Sequence, residues 1–293
     1  MESPHTVAKA PEHLGEFRIL AELGRGGSGV VYDATWGPRR VALKVLDQHP
    51  GHGAQGYLEE AHRLQQIGHP SVVKVLSVGE LPDGRPYLAM ERLDGETLAH
   101  LIARGRLSLE RALALFGELC SAVTALHDKG LVHRDLKPEN VFVVAGQHAV
   151  LLDFGIAKDL AAPASTTTQE GNVRGTPAYM APERFFGQTA GVSTDVYELA
   201  LILYAMLAGQ LPWTDAADPE ARLSPLPLTE HAPVPEALDI EIRRALSTRA
   251  QNRPPSASAL FASVTAAASG EREEPSAGET ARIRPGQDSL PDQ

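Results

Sequence analysis

Two hydrophobic periodicities divide this chain. From Phe17 to Met90 the apolar residues come in short runs rich in β-branched types. Val30-Val31-Tyr32, Val41-Ala42-Leu43-Lys44-Val45, Val72 to Val78 and Tyr87 to Met90 read as strands. Gly37-Pro38 and Pro82-Asp83-Gly84 supply turns between them. One helix interrupts this part, near Gly56 to Ile67. From Thr97 onward the period changes. Leu109, Leu113, Phe116, Leu119, Cys120, Val123 and Leu126 follow the i, i+3, i+4 spacing of one buried helix face, with Ser108 as its N-cap. Short strands flank Gly146, at Val141 to Val144 and Ala149 to Leu152. Thr194 to Leu207 is apolar almost all round, as a central buried helix would be. Leu238 to Leu246 and Ser256 to Ala266 read as further helices. The pattern predicts an α+β fold, with a small β-rich part followed by a larger, mainly helical part.

The ends differ from this body. Residues 1–16 are polar and read as a flexible segment without the apolar core of a signal peptide. Residues 267–293 are rich in Glu, Pro, Gly, Ser, Arg and Asp and are expected to form a disordered acidic tail. The longest apolar run, Leu199 to Ala208, falls well short of the about 18 residues that a membrane span needs. With 43% hydrophobic and 22% charged residues, the chain has an ordinary globular composition and can fill a sizeable core. Its net charge of -10, without a lysine-rich arm, argues against nucleic acid or an anionic membrane as partner. Cys120 is the single cysteine, which excludes an intrachain disulfide and a cysteine zinc site and fits a cytoplasmic location. His49-x-x-His52 is the closest histidine pair, and it has no further ligands beside it.

Candidate chemistry concentrates in His133-Arg134-Asp135-Leu136-Lys137-Pro138-Glu139-Asn140. Asp135 can accept a proton from a hydroxyl, Lys137 can bind a transferring phosphoryl group, and Asn140 can hold a metal ion. Those three roles in one short loop suit phosphoryl transfer, where catalysis is mostly positioning and charge neutralisation. Leu23-Gly24-Arg25-Gly26-Gly27-Ser28-Gly29-Val30-Val31 carries a Gly24-x-Gly26-x-x-Gly29 spacing that a dinucleotide-binding turn shares. Here Val30-Val31-Tyr32 continues as a strand, so the glycines form the tip of a β-hairpin that can fold over phosphates. Lys44, in the middle of an apolar strand, needs a partner, either phosphate or a carboxylate of the helix that follows, Glu59 or Glu60. Asp153-Phe154-Gly155 follows an apolar strand. Asp153 and Asn140 are oxygen ligands suited to Mg²⁺.

Together these strings resemble the bacterial, eukaryotic-like Ser/Thr protein kinases over about Phe17 to Ala266. The resemblance implies a bilobal fold with an N-lobe at 17–91 and a C-lobe at 92–266. It makes Asp135 the catalytic base and Lys137 a phosphate contact. Lys44 would touch the α- and β-phosphates and pair with Glu60, whose distance from His69-Pro70 fits the family pattern. Asn140 and Asp153 would hold Mg²⁺, and the Leu23 to Val31 hairpin would cover ATP. Val31, Ala42 and Phe142 would enclose adenine. Met90 would be the gatekeeper, with hinge hydrogen bonds from Glu91 and Leu93. Leu64, Val75, His133 and Phe154 would stack as a spine. Glu183, in Ala181-Pro182-Glu183, would pair with Arg253, and Asp195 would anchor the catalytic loop. Lys137, with Thr176 before Pro177, implies Ser/Thr acceptors in protein substrates. Autophosphorylation is expected within Ser165-Thr166-Thr167-Thr168, at Thr168 first and Thr167 next, with Arg134 as the anion's partner and Glu170 as a partial substitute. A transient homodimer would serve that reaction. A pseudokinase scaffold and a small-molecule phosphotransferase are the alternatives. The departure from the family is a short proline-rich stretch between Trp213 and Leu238, where substrate docking is normally built.

Overall fold

The structure is a computed structural model that describes residues 12–26, 29–46, 54–152, 178–185, 187–213 and 220–270. Gly27, Ser28, His49, His52, Asp153, Phe154, the 165–168 stretch, Glu170, Thr176 and residues 271–293 lie outside the described residues.

The first part is an antiparallel sheet of six strands: β1 (His13–Leu14), β2 (Phe17–Gly26), β3 (Gly29–Trp36), β4 (Arg39–Val45), β5 (Val75–Glu80) and β6 (Pro86–Glu91). Their spatial order is β1-β2-β3-β4-β6-β5. Helix α1 (Ala54–Gln65) packs on β5. Residues directly opposite in an antiparallel pair share a face, and so do residues two apart on one strand. Val31 lies opposite Lys44, and Ala42 opposite Met90, which in turn faces Val75. Val31, Ala42, Lys44, Val75 and Met90 therefore line one face. Tyr32, Leu43, Val45 and Ala89 take the other, in a separate core with Phe17 and Tyr87.

The second part begins with a three-stranded sheet, β7 (Gly95–Thr97), β8 (Val141–Val144) and β9 (His148–Leu151). Its helices are α2 (Leu98–Ala103), α3 (Leu109–His127), α4 (Pro182–Phe185), α5 (Val192–Ala208), α6 (Glu236–Ala245) and α7 (Ala257–Ser269). Ser108 caps α3 as its sequence predicts, its side chain accepting from Arg111 N. Every residue of α5 from Thr194 to Leu207 is buried, and burial is worth ~1.5–3 kcal/mol for each large aliphatic side chain. Helix α7 approaches α3 closely at Gly117, where an added Cβ would lie 2.7 Å from the Phe261 ring. The two parts are stitched at Val72 and Val73. Val72 forms a parallel bridge to Leu151, and Val73 N donates to Leu151 O.

Element boundaries differ from the sequence reading in instructive ways. His13–Leu14 pairs with β2 and Leu14 is buried, so the sheet begins inside the stretch read as flexible. The strand expected from Val72 starts only at Val75, because Val72 and Val73 are used by the bridge to Leu151. Helix α7 continues to Ser269, past the expected domain end at 266, and Ala267 is buried. The short strand β7 carries no periodic signal and was not foreseen.

Candidate active site

The loop at 133–140 is held from below by two buried acids of α5, Asp195 and Glu198. Asp195 accepts from His133 N at 2.8 Å, Arg134 N at 2.9 Å and His127 Nε2 at 2.8 Å. One helical turn on, Glu198 accepts from Leu136 N at 2.8 Å. Arg134 has φ of 67°, a left-handed conformation that is costly for a bulky side chain unless its surroundings enforce it. The Asp195 bonds to the two backbone N–H groups at 133 and 134 do so. Burial first, and the neighbouring Asp195 charge second, push the Glu198 carboxyl well above the usual carboxylate range.

Above this floor the three chemical groups converge. Lys137 Nζ lies 2.9 Å from Asp135 Oδ2. Asn140 Nδ2 donates to Asp135 O at 2.8 Å and to Oδ2 at 3.2 Å. The Asp135 carboxylate is thereby fixed in direction, and its side chain keeps 21% exposure. Asn140 Oδ1 is a hard oxygen donor of the kind Mg²⁺ takes. Among the described residues no cluster of three His, Cys, Asp or Glu could hold a metal by protein ligands alone.

One face of the six-stranded sheet carries Lys44, buried at 7% exposure, with Val31, Ala42 and Met90 on the same side. Gly29 closes the hairpin opposite Gly26 at φ 144°, and a Cβ there would stand 2.1 Å from Val45 O. No other residue fits that position. Val30 is buried, whereas Leu23 is 45% exposed on the hairpin's first strand. The Glu60 carboxylate lies 3.9 Å from Arg134 Nη1, a partner that the sequence did not disclose. In the hinge, Glu91 N donates to Lys74 O and Glu91 Oε1 accepts from Lys74 N. Leu93 O accepts from Arg92 Nη1. Phe142 is half-buried on β8. Leu64, Val75 and His133 are all buried, as a spine requires.

On the remaining side, Glu183 and Arg253 form a two-pronged ion pair, Nη1 to Oε1 at 2.9 Å and Nη2 to Oε2 at 2.8 Å. Thr194 Oγ1 adds a hydrogen bond to Glu183 Oε1. Burial raises the Glu183 pKa, but the Arg253 hydrogen bonds and charge outweigh it and leave the carboxyl below its usual range. Sequence reasoning missed three groups here. Besides Glu198, Asp33 is a buried acid paired with Arg40 at 2.6 Å, with Arg92 at 3.7 Å, just behind the hinge. Arg222 is buried in the proline-rich stretch.

This geometry agrees with what the chain is similar to. The protein kinase domain family model matches residues 17–261. Serine/threonine-protein kinase pkn2 of Myxococcus xanthus is 39% identical over 280 residues, covering 88% of this chain and 33% of that protein. Pkn1 of the same organism is 38% identical over 254 residues, 82% of this chain and 36% of the relative. PknB of Mycolicibacterium smegmatis is 34% identical over 270 residues, 87% and 43%. The chain thus spans between a third and a half of the length of these curated relatives. A small β-sheet lobe, a helical lobe and the Asp135 loop between them place this chain in the protein kinase family.

Proposed function

We propose that this domain transfers the γ-phosphoryl group of ATP to Ser or Thr hydroxyls of protein substrates. The observation that carries this reading is the Asp135, Lys137 and Asn140 cluster, braced by Asp195 and Glu198. Asp135 orients the acceptor hydroxyl and takes its proton as the new P–O bond forms and the γ-phosphorus bond to the β,γ-bridging oxygen breaks, with ADP leaving. Lys137, bonded to Asp135, neutralises charge on the moving phosphoryl oxygens. Lys44 holds the α- and β-phosphates from the opposite sheet face and pairs with Glu60 in the competent state. The backbone of the Leu23–Val31 hairpin covers the phosphates. The remaining hinge groups, the Glu91 carbonyl and the Leu93 N–H, present an acceptor and a donor to the adenine edge between Val31, Ala42 and Phe142. Asn140 and Asp153 are the residues that would hold Mg²⁺, which when bound neutralises the phosphates and fixes their geometry.

Lys137 and Thr176 support Ser/Thr rather than Tyr acceptors. Phosphorylation within 165–168, at Thr168 first, would put a dianion within reach of Arg134, where Glu60 is now the neighbour. Among the described residues no helix is long and apolar enough to cross a membrane, and we place the domain in the cytoplasm. Incubation with γ-labelled ATP, Mg²⁺ and dephosphorylated casein, followed by phosphosite mapping, tests the proposal. Phosphoserine or phosphothreonine is expected. Nucleotide binding without transfer would indicate a pseudokinase, and label passing only to a small hydroxylated acceptor would indicate a small-molecule phosphotransferase.

A further inference from the structure

Arg222 sits in a 3₁₀ turn, Glu220–Leu223, within the proline-rich stretch between Trp213 and Leu238. It is 2% exposed, although its neighbour Leu223 is 68% exposed. Its guanidinium carbon lies 4.6 Å from the centre of the Phe185 ring and 4.5 Å from that of Trp213. Nη1 donates to Met180 O at 3.1 Å and, at a long 3.4 Å, to Ala178 O. A buried guanidinium is costly, and ring faces and carbonyls offset part of that cost by replacing its water. Such a cation suggests a role beyond filling space.

The carbonyls it grips belong to the segment that borders the catalytic loop. Glu183, in the same segment, accepts from Thr194 Oγ1 at 2.9 Å, and the next residue of α5, Asp195, holds the loop's backbone at 133 and 134. The far end of the segment is fixed independently, by Arg253 on Glu183. Tyr197 of α5 feels both arginines and has the Arg253 guanidinium 4.8 Å from its ring centre. Segment 178–183 is therefore held at two points, by an arginine from beyond α6 and by an arginine from the shortened stretch. Without the Arg222 hold, residues 178–180 lose their brace while Glu183 stays paired with Arg253.

We infer that Arg222 is a positioning residue for the polypeptide acceptor, bracing the 178–180 wall against which the acceptor chain lies as its hydroxyl approaches Asp135. This rests on the proposed kinase activity. The short stretch then contributes a clamp in place of a larger docking surface. Small displacements of an acceptor from the attacking geometry are expensive, on the order of 10²-fold in rate for 1 Å. Lysine would keep the charge but lose both the fork and the flat face that stacks between two rings.

The experiment compares wild type, Arg222→Lys and Arg222→Met with dephosphorylated casein as acceptor. It reads the KM for casein, the KM for ATP, and ATP hydrolysis without acceptor. The expected result is a casein kcat/KM lower by ~10-fold in Arg222→Lys and by up to ~100-fold in Arg222→Met. The KM for ATP and acceptor-free hydrolysis should stay within about twofold. Melting curves identify any variant that fails to fold, and Arg222→Lys, which keeps the charge and most of the volume, decides if Arg222→Met does. Unchanged casein kinetics in the folded variants overturn the inference. So does a parallel loss of ATP and casein parameters, which would mark Arg222 as merely structural. A wild-type protein that binds ATP but transfers to no protein would instead overturn the kinase reading on which the inference stands.

Discussion

Glu198 and Glu183 are both partly or wholly buried glutamates near the catalytic loop, yet their surroundings push them in opposite directions. Glu183 is held below its usual pKa by Arg253, so its stabilisation is full above the unfolded value near 4.3 and is lost as pH falls through the lower folded value. Arg253→Met should cost ~3–5 kcal/mol at pH 7 by leaving a carboxylate buried and unpaired. That cost should be smaller at about pH 3 than at pH 7, because protonation of Glu183 removes the unpaired charge in the variant and, as pH falls through the lowered folded value, the ion pair in wild type. Urea unfolding at the two pH values checks it. Glu198 is raised by burial and by Asp195, so in the fold it favours the neutral acid. Wild-type stability should therefore fall as pH rises from the unfolded value toward the folded one. Glu198→Gln keeps an oxygen for Leu136 N without that penalty, and should be more stable than wild type by ~1 kcal/mol or more at pH 8, but not at pH 4. Equal stability at both pH values would contradict a neutral Glu198. The candidate catalytic residues were legible in the sequence because Asp135, Lys137 and Asn140 fall in one contiguous string. Glu198 was not, because its partner Leu136 is 62 residues away and a glutamate in an apolar helix reads only as an interruption.

At the scale of elements, α5 is the post to which the Asp135 loop is tied, and its burial is visible in a sequence that is apolar almost all round. The sheet faces were equally legible, since alternation along β4 places Ala42 and Lys44 together. Elements without periodicity were not: β7 has three residues and β1 has two, and each exists only because a neighbouring strand supplies its hydrogen bonds. The end of α7 was read three residues short because Ala267 and Ala268 are small, although they pack on the core. Helix α7 lies against α3 and α6, so its core residue Leu260, fully buried, should matter to the whole lobe. Leu260→Ala is expected to cost ~2–5 kcal/mol, read as a lower denaturation midpoint with the slope unchanged. A loss under about 0.5 kcal/mol would show that α7 is a detachable appendage.

For the whole molecule, the two lobes divide the labour. On the proposed reading the sheet lobe presents Lys44 and the glycine hairpin to a nucleotide, and the helical lobe presents Asp135 on a loop that is fixed to α5. Neither lobe alone can align an attacking hydroxyl with a phosphate. Lys44→Met should therefore stop transfer by misplacing the phosphates, with autophosphorylation followed by intact mass; phosphate incorporation equal to wild type would contradict that role. The sharpest separation of chemistry from binding comes from Asp135→Asn, measured for γ-phosphate transfer to casein alongside ATP affinity. A base that acts on the acceptor hydroxyl predicts a turnover lower by ~10²–10⁴-fold with ATP affinity within about twofold of wild type. An Asp135→Asn protein that keeps most of the wild-type turnover would contradict it.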